Sequence, residues 1–393
     1  MNFSSLIHFL LQLGKSSLQH ELDIFFDSKN ISYTKGALSQ QRSKLKPSLF
    51  KHLDFIQRNF YYTKASHILK WQGFRLIGID GSTLQLPYSE ELVKGFGHFE
   101  TRTENNRKVV LARISQAYDL LNEVSIDAQI EHYRTSELSL CQMHLSSLTQ
   151  SDLLIMDRAY AAFWLMATLS EQKKSFLIRV KANRWKQAKE FLFSRAEEQI
   201  IEVKPSNEAK KRCLERGINY APLKLRMVRV PIQAGEDHVL ITNLIDNKTY
   251  RKADLSMLYR KRWPVEESFK LLKTRAELEN LSGKTMRAVQ QDFYRIIFRA
   301  NLSSILSRNL TRKGMINMNK IRKRTYQLNR TQAYRKTQTI INIVFTQMRA
   351  VNNELEKFAL QLINQAEILR LNRTVPRIRR YGGRPANFMA YKP

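Results

Sequence analysis

Two short apolar runs set what this chain can fold into. Phe74-Arg75-Leu76-Ile77-Gly78-Ile79 and Leu153-Leu154-Ile155-Met156 each lead into an aspartate, Asp80 and Asp157. Runs of this length, bounded by turn residues such as Gly81, read as strands. A continuous apolar run implies a strand buried on both faces. Further strands are expected at residues 109–118, 124–130 and 176–181, with Asp119-Leu120-Leu121-Asn122 as a hairpin connection between the first two. Helices are expected over residues 135–150 and from beyond Asp157 to about residue 173. Antiparallel strands followed by alternating helices and strands give the α/β class: a mixed sheet flanked by helices.

The rest of the chain surrounds that sheet. Residues 1–70 read as a helical, basic N-terminal DNA-binding region. Within it, residues 34–45 form a short helix with Thr34 as N-cap, open to two readings: a DNA-contacting helix or a solvated amphipathic one. Residues 183–245 break the αβ rhythm and read as a β-rich insertion. There, Leu223-Lys224-Leu225-Arg226-Met227-Val228-Arg229-Val230 alternates apolar and basic side chains, which predicts a strand with one wet, cationic face. Residues 239–244 give another strand. From Asp254 to about residue 370 the pattern is helical. Arg373, Arg377, Arg379, Arg380 and Arg384, with Pro376 and Gly382-Gly383, mark a basic tail. The expected organisation is therefore an N-terminal region 1–70, a catalytic core from 71–182 and 246–300, the insertion 183–245, and a helical C-terminal region with its tail, 301–393.

Charge narrows the partners. Lys and Arg total 66 against 35 Asp and Glu, a formal net charge of +31, and 43% of residues are hydrophobic. A globular chain with that excess suits a polyanion. No run approaches the roughly 18–20 apolar residues of a membrane-spanning helix, so a nucleic acid is the expected partner and a membrane is not. Met1-Asn2-Phe3-Ser4-Ser5 lacks the basic start of a secretory signal. Two cysteines, Cys141 and Cys213, are too few for a disulfide framework and fit a cytoplasmic, reducing compartment. No HxxxH or His/Cys cluster points to zinc. No GxxxxGKS or GxxxxGKT run points to ATP hydrolysis.

Three acids remain for chemistry. Asp80 and Asp157 end strands, where α/β sheets place ligand sites. Glu266 follows Pro264, a residue suited to the first turn of a helix, where the helix dipole favours the charged carboxylate. An all-oxygen set suits Mg²⁺, with Mn²⁺ able to substitute. Two such ions about 3.5–4 Å apart can activate a water or hydroxyl and stabilise a phosphodiester's leaving oxygen. Plainer readings stand beside this one: a turn or cap for each aspartate, a pairing of Asp157 with Arg158, a helix cap at Glu266 or Glu267. Around Glu266, the residues Tyr259, Arg262, Lys270 and Lys273 recur at spacings of three and four, the spacing of one helix face. Pro264 means that this face is either one kinked helix or a turn leading into a helix.

Tyr259-x2-Arg262-x3-Glu266-x6-Lys273 resembles the Tyr-Arg-Glu-Lys signature of a large group of bacterial DDE insertion-sequence transposases. Ile79-Asp80-Gly81-Ser82 resembles the segment carrying that group's first aspartate. Met156-Asp157-Arg158-Ala159-Tyr160 resembles its Asp-Arg-Gly-Tyr segment, with Ala159 replacing glycine. Leu240-Ile241-Thr242-Asn243-Leu244 resembles the strand closing the family's insertion, and the likeness extends over roughly residues 30–385. The resemblance implies an RNase H-like fold with catalytic, metal-binding Asp80, Asp157 and Glu266. It implies hydrolysis at the terminal inverted repeats and strand transfer into target DNA, by a homodimer in a synaptic complex on bacterial nucleoid DNA. By the same carry-over Tyr259, Arg262 and Lys273 hold phosphates of the DNA end, with Lys270 and Arg158 as further contacts. His238 stands where some relatives place a tryptophan that stacks on a flipped base, a step linked to release through a DNA hairpin. Trp185 and Trp263 are alternative stackers, each expected in the core. Two other functions share these features: an inactive DNA-binding relative and an RNase H-like host nuclease.

Overall fold

A computed structural model describes residues 1–14, 16–27, 30–65, 67–100, 108–182, 185–231 and 237–370. The basic tail around Arg373, Arg377, Arg379, Arg380 and Arg384 lies outside them. The chain begins with α1 (Phe3–Gln12), α2 (Leu18–Asp27), α3 (Lys35–Ser43) and α4 (Ser48–Lys64). Next come β1 (Arg75–Gln85), α5 (Glu90–Phe96), β2 (His98–Glu100), β3 (Lys108–Asp119), β4 (Val124–His132), α6 (Glu137–His144), β5 (Asp152–Met156), α7 (Phe163–Glu171) and β6 (Ser175–Val180). The insertion contributes α8 (Lys186–Phe193), β7 (Glu198–Val203), α9 (Asn207–Leu214), β8 (Leu223–Val230) and β9 (His238–Thr242). The remainder is α10 (Lys252–Arg260), α11 (Pro264–Lys270), α12 (Met286–Ile321), β10 (Tyr326–Gln327), α13 (Arg330–Thr346), α14 (Val351–Asn364) and β11 (Glu367–Ile368).

These elements pack as two compact units. A sheet unit holds Leu69–Ser82 and Arg113–Phe269; a helical unit holds Met1–Ile68, Thr83–Ala112 and Lys270–Pro393. The residues of the insertion, 183–245, share a unit with the sheet, and the boundary between the units falls after Phe269.

The sheet unit is a large mixed sheet with helices on its faces. Its strand order is β4-β3-β1-β5-β6-β9-β8-β7. Strands β1, β5 and β6 are parallel, and all of β5 is buried, as apolar runs covered on both faces require. The turn from β3 to β4 is held by the Asp119 carboxylate, which accepts from the amides of Leu121 at 3.1 Å and Asn122 at 3.0 Å. Helices α6, α7, α8 and α10 pack against β4, β6, β8 and β8 respectively.

The insertion contains two helices as well as three strands, and its strands continue the sheet. β9 runs antiparallel to β6, β8 to β9 and β7 to β8. On its alternating strand β8 only Lys224 is exposed, and the two arginines are not. Arg226 is only 1% exposed; it ion-pairs with Glu198 and donates to the Tyr250 carbonyl at 2.7 Å. Arg229 donates to the carbonyls of Ala196, Phe191 and Leu192. Strands on both sides and helices above leave the arginines inside, where carboxylate and carbonyl oxygens satisfy them.

In the helical unit, the 36-residue α12 packs against α4, α13 and α14. Ala333, Ile340, Phe358 and Leu362 form a core cluster closed by Leu306, Leu328 and Leu355. Thr34 caps α3, accepting from the Ala37 amide at 3.1 Å. Arg42 turns inward, while Gln40, Ser43 and Lys44 stay exposed. Arg42 ion-pairs with Asp292 at 2.9 Å and donates to Gln291, Ser282 and the Ala288 carbonyl.

Candidate active site

Asp80 lies within a strand, not at its end, since β1 runs on to Gln85. Its parallel neighbour stops first. The register of β1 on β5 ends at Gly78 opposite Ile155, and two more residues along each strand bring Asp80 level with Asp157. Neighbouring strands are about 4.8 Å apart, so the register alone makes these two aspartates neighbours. Asp157 also serves as a cap: its Oδ1 accepts from the Ala159 amide at 2.7 Å and opens a single 3₁₀ turn over Arg158–Tyr160.

Glu266 comes from a separate helix. Helix α10 ends at Arg260 and α11 begins at Pro264. The link is a turn, in which the Val265 amide donates to the Arg262 carbonyl at 3.2 Å and Glu266 to that of Trp263 at 3.0 Å. Between the two shapes that Pro264 left open, the chain adopts the turn leading into a helix. Tyr259 lies in the last turn of α10, Arg262 lies in the link and Glu266 is in the first turn of α11. Gly78 lets the new helix approach. A Cβ there would lie 2.8 Å from Leu120 Cδ2 and 3.4 Å from the Val265 side chain. The missing side chain brings Val265 down onto β1 and its neighbour Glu266 toward Asp80.

Arg262 joins the two acids. Its Nη2 lies 2.5 Å from Glu266 Oε1 and its Nη1 3.8 Å from Asp80 Oδ2. Even so, the Asp80 carboxyl is pushed up to about 6. Burial is the main cause, Arg262 and the Gly81 amide oppose it, and the charges of Glu266 and Asp157 add to it. Asp80 thus feels the charges of both Glu266 and Asp157.

A cationic group of side chains adjoins them. Arg179 on β6 places Nη1 3.3 Å from His238 Nε2 at the start of β9. Burial, then the charges of Arg179 and Arg158, hold the His238 imidazole below its usual value, against the pull of Asp237, so the ring is neutral at pH 7. Burial raises the Tyr259 phenol, with Arg179 and Arg262 opposing and Asp157 adding; it keeps its proton and can donate. Trp263 is not a core residue: it is 52% exposed. Trp185 is part-buried. Lys270 and Lys273 belong to the helical unit. Lys270 is the exposed last residue of α11. The helix then widens into a π turn over Leu271–Arg275, where Lys273 Nζ donates to the Thr83 carbonyl at 2.5 Å.

Sequence reasoning missed two residues. Arg179 carries a signal, as the one charged side chain inside the apolar strand β6. Glu137 carries little beyond its place after the N-cap Ser136. Its side chain lies on Gly81, where a Cβ would meet Glu137 Cγ at 3.0 Å.

The donors suit a hard divalent cation: three carboxylates and no sulfur. Among the described residues, no three acid, histidine or cysteine side chains are gathered closely enough to form a ready metal-ligand group. Arg262 instead makes the close contact with Glu266. Among the same residues, no helix is long and apolar enough to cross a membrane.

The candidate site thus holds Asp80 and Glu266 joined by Arg262, with Asp157 beside Asp80. Residues 71–302, more than half of the chain, match the family described as "Transposase DDE domain". The chain belongs to that family. It is 20% identical over 303 residues to transposase InsG for insertion sequence element IS4 of Escherichia coli (strain K12), covering 76% of this chain and 65% of InsG. It is 24% identical over 102 residues to InsZ of the same strain, covering 26% of this chain and 34% of InsZ. The chain therefore spans less than two thirds of the length of each of these relatives. A cryo-EM structure of the piggyBac transposase synaptic complex with hairpin DNA aligns with a TM-score of 0.45 at 13% identity, covering 91% of this chain and 75% of that one.

Proposed function

We propose that this chain is the transposase of an insertion sequence, of the group carrying the Tyr-Arg-Glu-Lys signature. It binds the terminal inverted repeats of its element, hydrolyses a phosphodiester at each end and joins the 3′ ends to target DNA. The observation that carries the reading is the electrostatic coupling of Asp80 to both Asp157 and Glu266, with Arg262 against two of the three.

In this reading Asp80, Asp157 and Glu266 hold divalent cations, Mg²⁺ with Mn²⁺ able to substitute. Bound there, the ions supply Lewis acidity at the phosphate and acidify the attacking water or hydroxyl. The protein's own groups do the rest. Arg262 offers a guanidinium fork matched to phosphate oxygens, and Tyr259 donates its retained phenolic proton. Arg158 and Arg179 add positive charge on the same side, and Lys270 and Lys273 extend the grip on the DNA end. The neutral His238 ring or the exposed Trp263 is the surface for a flipped base, where aromatic stacking contributes about 1–3 kcal/mol per base. A homodimer on cytoplasmic DNA, holding both ends, completes the reading.

The test uses end DNA defined by the inverted repeats flanking the reading frame. The wild-type chain is expected to nick it with Mg²⁺ and not with EDTA, and to join the ends to a second DNA. Asp80→Ala, Asp157→Ala and Glu266→Ala should bind this DNA and leave it intact. Full cleavage by any one of the three removes that acid from the site. Cleavage without joining assigns the chain to host nucleases.

A further inference from the structure

Behind Asp80 runs a chain of polar side chains that the reading above does not use. Ser115 on β3 donates its hydroxyl to the backbone carbonyl of Asp80 at 3.0 Å. His144, the last residue of α6, sets Nε2 2.9 Å from Ser115 Oγ. Its Nδ1 lies 2.7 Å from Asp127 Oδ2 on β4. The same oxygen accepts from Gln129 Nε2 at 2.7 Å. Ser115 and His144 are both completely buried.

The donors run in one direction. A carbonyl only accepts, so the serine proton points at Asp80, and Ser115 takes its second bond from Nε2–H of His144. The short contact of Nδ1 with the Asp127 carboxylate fixes the orientation of the ring. An Asp, His and Ser in series invite a nucleophile reading, which the geometry excludes. The hydroxyl is sealed from solvent, and its proton faces the carbonyl instead of the imidazole that would have to remove it.

We infer that Asp127, His144 and Ser115 form a positioning relay that fixes the backbone of Asp80. The need for one follows from the sheet. The register of β1 on β5 ends at Gly78, so the segment carrying Asp80 runs past that neighbour, and Ser115 ties it from the β3 side. None of the three relay residues touches the substrate. They act through Asp80, as residues behind a ligand orient that ligand. The inference rests on the reading of Asp80 as a metal-binding acid.

The experiment titrates Mn²⁺ into the full chain without DNA, by calorimetry, with thermal melts of every variant. Asp80→Ala is the reference and should abolish tight binding. Ser115→Ala is expected to weaken Mn²⁺ binding about tenfold, the low end for groups behind a ligand. Ser115→Thr, which keeps the hydroxyl, should restore it. His144→Gln, which keeps a donor toward Ser115 and loses Asp127, should fall between. In cleavage assays the same order is expected in kcat, with KM for end DNA unchanged. If Ser115→Ala binds Mn²⁺ like the wild type while Asp80→Ala does not, the relay is wrong and the metal reading stands. If the wild-type chain binds no Mn²⁺, both are wrong. Equal losses in Ser115→Ala and Ser115→Thr, matched by equal drops in Tm, assign Ser115 to packing and overturn the relay.

Discussion

Two arginines in this chain each pair with carboxylates, and the outcomes are opposite. In the helical unit Arg42 meets Asp292, whose side chain is wholly buried and also accepts from Arg295 and from the amide and hydroxyl of Ser282. Burial alone would raise the Asp292 carboxyl, yet Arg42, Arg295 and Ser282 hold it below its ordinary value. In the sheet unit Arg262 reaches Asp80 and Glu266 at the edge of solvent, and Asp80 is nevertheless raised to about 6. The first carboxylate has every lone pair answered; the second shares one guanidinium with competing acids. A saturated pair is architecture. A carboxylate left with too little positive charge has a use for more of it, from a cation or a proton.

The largest effect should come from breaking the saturated pair. Asp292→Ala strands the Arg42 guanidinium in the interior, and removing one partner of a buried pair typically destabilises by about 3–5 kcal/mol. Urea denaturation of the helical signal measures it; a loss below about 1 kcal/mol would mean that the pair is not what joins α3 to α12. The sign with pH follows. A carboxyl held below 3.8 when folded binds protons more readily in the unfolded chain. Its stabilisation is therefore present above that value and is lost as pH falls through the folded one. Melts of wild type and Asp292→Ala should converge in acid.

The unsaturated carboxylate should behave in reverse. Between pH 3.8 and about 6 the folded chain holds a proton on Asp80 that the unfolded chain has released. Its contribution to stability thus falls as pH rises through that window. In metal-free buffer Asp80→Asn should match the wild type near pH 4 and exceed it by about 1–3 kcal/mol above pH 6, while abolishing cleavage. Mg²⁺ should narrow the gap by stabilising only the wild type. In the wild type, cleavage should decline below about pH 6 as protons compete for Asp80. A variant less stable than wild type at pH 7 in EDTA would make Asp80 a structural acid.

This contrast explains what could be read from the sequence. The elements carrying the three acids were legible, because Asp80 and Asp157 follow apolar runs that form strands, and Glu266 follows a helix-starting proline. The β3–β4 hairpin was legible from Asp119 to Asn122. The fates of the arginines were not. Arg226 alternates with apolar residues as a solvated strand side chain would, and only the later arrival of Glu198 and Tyr250 in space shows it to be internal. Arg42 sits on a short polar helix, and its partner lies 250 positions away in sequence. A local pattern records which face a residue is on, not what long-range pairing covers that face. The extent of β1 was missed for the same reason. Gly81 reads as a strand end, yet β3 carries the strand on to Gln85.

The smallest expected change in stability sharpens the contrast most. Arg179 and Arg226 are arginines on strands of one sheet, β6 and β8, and only Arg226 is buried against a carboxylate. Arg226→Ala should lower stability by about 1.5–3 kcal/mol, the range for hydrogen bonds to charged groups, and leave DNA affinity unchanged at temperatures where the chain stays folded. Arg179→Ala removes a part-exposed side chain near His238 and Tyr259, so stability should stay within about 0.5 kcal/mol. Its effect should appear in DNA binding instead. Each phosphate contact contributes about 0.9 to the slope of log affinity against log salt on duplex DNA, so that slope should fall by about one. His238 gives an internal check. Without Arg179, the second-largest influence lowering its protonation is gone, and its titration, followed by NMR, should move upward. If His238 moves and the salt slope does not, Arg179 shapes the site without touching DNA. If neither changes, Arg179 belongs with Arg226 as architecture.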